Sequence, residues 1–155
     1  MKEARRQIAA MPLRWNDGEV EVLMVTSRET KRWIVPKGWA MKDRKPWEAA
    51  AIEALEEAGV TGRISDEAFG TYSYQKKLDD GRHVLCRVRV YPMTVVEQRD
   101  SWKEKAERRR AWFRVGKAAK LVDEPELGAL LRSLSKKPKK APVVGSMLKR
   151  AARAD

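Results

Sequence analysis

The chain has 155 residues, long enough for one domain around a single core, and 34 lysines and arginines against 22 acidic residues leave a net charge of +12. That balance points to polyanionic partners: phosphorylated metabolites, nucleic acid or an anionic membrane surface. A single cysteine, Cys86, excludes an internal disulfide, no Cys/His cluster supports zinc, and neither a secretory signal nor an apolar run of about 20 residues is present, so a soluble cytoplasmic protein without a membrane span is expected.

Residues 7–15 have the character of a strand, Asn16-Asp17-Gly18 is a strong turn signal, and 20–26 reads as the hairpin partner. A polar loop, 27–32, leads to the short apolar strand 33–35, which Pro36 ends. The loop that follows is basic, with Lys37, Lys42, Arg44 and Lys45, and it holds Gly38, where the backbone can approach a ligand closely. Trp39 beside it suits stacking on a base or sugar ring, or packing over the core.

Pro46 suits a first helical position, residues 47–58 are rich in Ala, Leu and Glu, and Gly59 closes the helix. Ala50, Ala54 and Ala58 form a small stripe that packs against a neighbour. Glu53, Glu56 and Glu57 stand at i, i+3 and i+4, which gathers three carboxylates on one face near the negative end of the helix dipole. A solvated acidic face is one account of them; the other is a hard divalent cation, which relieves both penalties and takes oxygen ligands of this kind.

Beyond the helix, 69–77 and 83–96 alternate as a hairpin around the turn 78–82. Arg87 and Arg89 share one face of the second strand and are candidates for a substrate groove. The only histidine, His83, begins that strand and is given no catalytic role. Residues 97–110 form a charged loop in which Glu97 or Glu104 is a candidate further ligand or base, and Arg108, Arg109 and Arg110 are candidates to clamp phosphates. A strand at 111–115 and helices at 116–121 and 125–134 follow, the last with Leu127, Leu130, Leu131 and Leu134 at core spacing. From residue 136 on, seven lysines and arginines face one aspartate, which reads as a flexible basic tail, 135–155, ending in a short helix after Ser146 and suited either to RNA contact through counterion release or to solubility.

The stretch from Gly38 to Val60 resembles the signature of the Nudix hydrolases, G-x5-E-x7-R-E-U-x-E-E-x-G-U, with U a bulky apolar residue. Gly38, Glu53, Glu56, Glu57, Gly59 and Val60 match in an ungapped register, while Arg44 replaces the first glutamate, Ile52 replaces the arginine and Ala54 is small. The wording Arg32-Trp33-Ile34-Val35-Pro36-Lys37-Gly38-Trp39, with Trp102 and Arg110-Ala111-Trp112-Phe113, is most similar to the diphosphoinositol polyphosphate and diadenosine polyphosphate hydrolase branch, and the resemblance covers residues 5–134.

That resemblance implies an α/β/α sandwich with a mixed β-sheet over residues 1–134 and hydrolysis of a diphosphate linkage. It implies that Glu53, Glu56 and Glu57 with the Gly38 carbonyl hold Mg²⁺ or Mn²⁺, that one glutamate is also the base, and that Arg28, Lys37 and Trp39 meet the substrate. Ile52 removes an orienting contact to a glutamate, and Arg44 favours a long polyanion over a metal ligand. A nucleotide, dinucleoside polyphosphate, inositol pyrophosphate or RNA 5′ end all offer the same linkage, and a weakly catalytic polyphosphate- or RNA-binding domain is the alternative from another class. Oligomeric state is left open.

Overall fold

The computed structural model describes residues 4–136 and 148. Its centre is the strand β1 (Arg5–Asn16), whose residues 7–13 are all buried. A strand covered on both faces reads as a continuous apolar run, as this one does. Asp17 and Gly18 both take positive φ, 52° and 76°, and turn the chain into β2 (Glu19–Thr26), which pairs antiparallel with β1. This is the two-residue hairpin that Asn-Asp-Gly predicts.

The short β3 (Trp33–Ile34) pairs with β2, and β4 (Lys37–Trp39) pairs with β1 through Gln7↔Trp39, Ile8↔Gly38 and Ala9↔Lys37. The segment expected as a loop after Pro36 is therefore a strand, and the Pro36 carbonyl accepts the Ala10 N–H at 3.0 Å to hold it there. Helix α1 (Pro46–Glu53) runs on into a π-helical turn, 54–58, that stops at Gly59 with φ of 69°. Next comes β5 (Val60–Ile64), a strand the sequence conceals behind Gly62, where a bulge brings the backbone onto the Thr94 carbonyl with no room for a Cβ.

The hairpin of β6 (Gly70–Lys77) and β7 (His83–Gln98) completes the centre, because β7 runs parallel to β1 over nine residue pairs and carries β6 and β5 on its other edge. β8 (Arg110–Arg114) pairs with β2 and leads into α2 (Val115–Leu121) and α3 (Pro125–Lys136). The eight strands form one mixed sheet.

Side chains alternate across that sheet, so β1 feeds two cores. Ala9, Met11 and Leu13 pack with Tyr72, Leu127, Leu131 and Leu134 under α2 and α3, while Ile8 and Ala10 pack with Leu23, Tyr91 and the alanine stripe of α1. Helices therefore cover both faces, which is the expected α/β/α sandwich. Each fully buried leucine of α3 contributes about 1.5–3 kcal/mol. Trp33 packs edge-on to Phe113, with ring centroids 4.9 Å apart, and is a packing residue. Cys86 is a buried strand residue. The expected tail, 135–155, lies outside the described residues except for Ser135 and Lys136, which are helical and continue α3, and Leu148, which is helical, 1% exposed and part of the core under α3. No helix of the described residues is long and apolar enough to cross a membrane.

Candidate active site

The C-terminal half of the helix is held by the loop at 99–109. The last carbonyls of a helix have no partner within it. Here the Trp102 indole donates to the Glu57 carbonyl at 3.0 Å, the Glu104 N–H to that of Glu56 at 3.1 Å, and Arg110 to that of Ala58 at 2.8 Å. Arg110 also lies 3.8 Å from the centre of the Trp102 ring and reaches the Arg99 carbonyl. A cation at a helix C-terminus is favourable, so this arginine both caps the dipole and fixes the loop.

Within that frame the three glutamates part company. Glu53 presses against Gly38, where an added Cβ would overlap its carboxylate. Glu57 is 5% exposed, accepts the Lys37 N–H at 3.3 Å and faces the Arg108 guanidinium at 3.6 Å. Glu56 is only half-buried and points to Lys103, 3.6 Å away. The spacing that predicts one shared face assumes regular α-helix; the π turn over 54–58 changes the rotation between 53 and 57. Gly38, Glu53 and Glu57 are brought together and Glu56 stands at their margin.

Burial pushes the Glu57 carboxyl up to about 8, with the Glu53 and Glu104 charges adding to it and Arg108 opposing. Burial also raises Glu53, helped by Glu56 and Glu104. Glu104 behaves differently. Burial alone would raise it, but hydrogen bonds from Arg28 at 2.6 Å and Arg108 at 2.9 Å outweigh that and hold it below the usual carboxylate range. Glu97, the other acid named in this loop, is exposed at the end of β7 and paired with Arg99.

Among the substrate-side candidates, Arg28 is half-exposed and engaged with Glu104. Lys37 meets the glutamates only through its backbone; its ammonium leaves on the α2–α3 face, 5.0 Å from the centre of the Tyr74 ring, and burial lowers its pKa against the pull of Glu57. Trp39 is 43% exposed, free for stacking, with Lys76 5.9 Å from its ring. Arg87 and Arg89 do share a face: with Arg6, Thr71, Ala40 and Pro46 they line a cleft of about 320 Å³ where the sheet emerges from beneath α1. His83 is exposed at the start of β7. Arg108, Arg109 and Arg110 are not one clamp, since Arg108 and Arg110 turn inward and the Arg109 N–H bonds Thr26.

The NUDIX domain family matches residues 4–134. The chain belongs to that family. It is 35% identical over 124 residues to Nudix hydrolase 17, mitochondrial, of Arabidopsis thaliana, covering 76% of this chain and 66% of the relative. It is 37% identical over 110 residues to diphosphoinositol polyphosphate phosphohydrolase 2 of Rattus norvegicus, covering 69% and 57%. The chain thus spans between about half and two thirds of the length of the curated relatives it matches. In fold it is similar to a C. elegans Ap4A hydrolase in a binary complex, with a TM-score of 0.62, 22% identity and coverage of 83% of this chain and 93% of that one. A NUDIX hydrolase from Nitrosomonas europaea gives a TM-score of 0.66 at 18% identity, covering 84% and 87%.

Nudix hydrolases generally use divalent metal ions. The residues here fit one of the hard kind. Among the described residues no three His, Cys, Asp or Glu side chains converge to cage an ion unaided. The donors at hand are the buried Glu57 carboxylate, the half-buried Glu53 carboxylate and the Gly38 backbone, all oxygen, and Mg²⁺ typically takes one or two carboxylates and completes its shell with water and substrate phosphate.

Proposed function

We propose that this domain hydrolyses a diphosphate linkage in a phosphorylated small-molecule substrate of the nucleoside-diphosphate-X kind: a dinucleoside polyphosphate, a nucleotide or an inositol pyrophosphate. The observation that carries this reading is the pair of Glu53, half-buried against Gly38, and Glu57, buried beside the Lys37 N–H, at the end of a helix whose register matches the family signature. Glu53, Glu57 and the Gly38 carbonyl would hold Mg²⁺ or Mn²⁺, with Glu56 contributing from the margin. Such an ion supplies positive charge against the phosphates and a more acidic water.

The chain's own groups do the rest. One of these glutamates would also accept a proton from the attacking water. Arg28 has its outer surface free to meet a phosphate oxygen while Glu104 steadies it. Trp39 offers a ring for stacking, and Lys37 adds positive charge beneath its strand. Arg6, Arg87 and Arg89 line the cleft with no ion-pair partner among the described residues, which suits phosphates remote from the cleaved bond. The buried free thiol of Cys86 accords with a reducing, cytoplasmic setting.

Turnover of diadenosine tetraphosphate, nucleoside triphosphates and a diphosphoinositol polyphosphate in Mg²⁺ or Mn²⁺ tests this. Release of phosphate, pyrophosphate or nucleotide from at least one is expected and names the substrate class; tight binding without cleavage of any would contradict the reading.

A further inference from the structure

Position 52 holds isoleucine, so α1 provides no guanidinium beside its own glutamates. A guanidinium is nonetheless there. Arg108, from the segment preceding β8, is inserted into the site with its side chain only 9% exposed, and each of its three nitrogens is engaged: Nη2 with Glu57 at 3.6 Å, Nε with Glu104 at 2.9 Å and Nη1 with the Thr26 carbonyl at 3.1 Å. Its backbone is pinned as well, through its N–H to the Glu104 carbonyl and the neighbouring Arg109 N–H to the Thr26 hydroxyl. Arg28 donates to the same Glu104 oxygen at 2.6 Å and closes a chain of alternating charge, Arg28–Glu104–Arg108–Glu57.

We propose that Arg108 is the positioning residue that orients Glu57, supplied across the fold in place of a helix arginine, with Glu104 and Thr26 as its anchors. The proposal rests on the hydrolase reading for its consequence in turnover, but not for its geometry. Hydrogen bonds to Glu104 and the Thr26 carbonyl fix the plane of the guanidinium, which holds its remaining nitrogen as an ion-pair partner facing Glu57 at 3.6 Å; an ammonium offers one point charge and cannot bridge the three. Groups that orient a ligating carboxylate typically change metal affinity or activity by about 10–100-fold when lost.

The test is Mn²⁺ binding followed by electron paramagnetic resonance on the whole chain, for wild type, Arg108→Met and Arg108→Lys, with kcat and KM for diadenosine tetraphosphate measured alongside. A counter-ion role and a positioning role predict opposite signs. Removing a positive charge beside Glu57 should tighten Mn²⁺ binding if charge is all that matters; loss of orientation weakens it. We expect Mn²⁺ binding weaker by about ten-fold or more in Arg108→Met, no recovery in Arg108→Lys, and a loss in kcat with KM nearly unchanged. Binding that is unchanged or tighter in the Met variant, full recovery by Lys, a rise in KM alone, or no Mn²⁺ binding by wild type overturns the assignment. If Arg108→Met melts below the assay temperature, Glu104→Gln decides: it keeps Arg108 and Glu57 but loosens the anchor, and unaltered Mn²⁺ binding there sinks the proposal. A wild type that binds Mn²⁺ in an Arg108-dependent way but cleaves no diphosphate upholds Arg108 and fails the hydrolase reading instead.

Discussion

Glu57 carries a measurable signature in the metal-free protein. Its pKa is about 8 in the fold against an ordinary 4.5, so between those values the folded chain binds a proton that the unfolded chain has released. Stability therefore falls as pH rises through that window, by up to a few kcal/mol. Glu53 acts in the same direction, whereas Glu104, whose pKa is lowered, contributes stability that is already complete by about pH 5. Thermal melting in chelator should show a midpoint that declines from about pH 5 to 8, with a shallower decline in Glu57→Gln. A midpoint rising over that range would contradict the burial of this carboxyl. Gly38 offers a second check at the same scale. A methyl group there displaces the flexible end of Glu53 and no backbone, so Gly38→Ala should lose activity by at least about ten-fold while the melting midpoint stays close to wild type.

The helix that bears these residues is finished by a loop distant in sequence. Arg110→Met removes the charged hydrogen bonds to the Ala58 and Arg99 carbonyls and the contact with Trp102, and should destabilise the fold by about 1–3 kcal/mol in denaturant unfolding; a change under about 0.5 kcal/mol would show that water caps this helix equally well. Local chemistry made much of this scale legible. Pro46 and Gly59 delimit the helix and its π turn, Asp17-Gly18 make the first hairpin, and the leucine spacing places α3. What stayed hidden depends on partners far along the chain. β4 is three residues that become a strand only because β1 lies beside them, and β5 is interrupted by Gly62, whose meaning is the Thr94 carbonyl opposite. The π turn leaves no mark in a pattern read at 3.6 residues per turn, which places Glu56 on one face with acids from which it diverges in the fold. Arg108 stands in sequence as one of three candidates to clamp phosphates, because nothing in a basic run says which member turns inward.

At the scale of the whole molecule, the sheet sets two charged regions on either side of β4. Glu57 meets β4 through the Lys37 N–H, and the cleft of Arg6, Arg87 and Arg89 opens across β1 and β7. Strands lie about 4.8 Å apart, so the row Gly38–Ile8–Arg89 spans about 10 Å, a separation that, under the proposed function, would suit a substrate carrying phosphate away from the bond being cut. The net charge of +12 pointed to a polyanion without locating it; the fold gathers part of that charge at one cleft. Leu148 adds a point that composition obscured, since a leucine in the basic C-terminal segment is buried with the core under α3.

Under the proposed function, Glu53 at the end of α1 and Glu57 in its π turn, beside β4, form a metal-dependent hydrolytic centre. The most direct measurement is product release from diadenosine tetraphosphate by wild type and Glu57→Gln, each with Mg²⁺ and with chelator. Chelator should abolish turnover, and Glu57→Gln should lower it by at least about 10²-fold. Turnover that persists in Glu57→Gln, or that is indifferent to chelator, would contradict the proposed function.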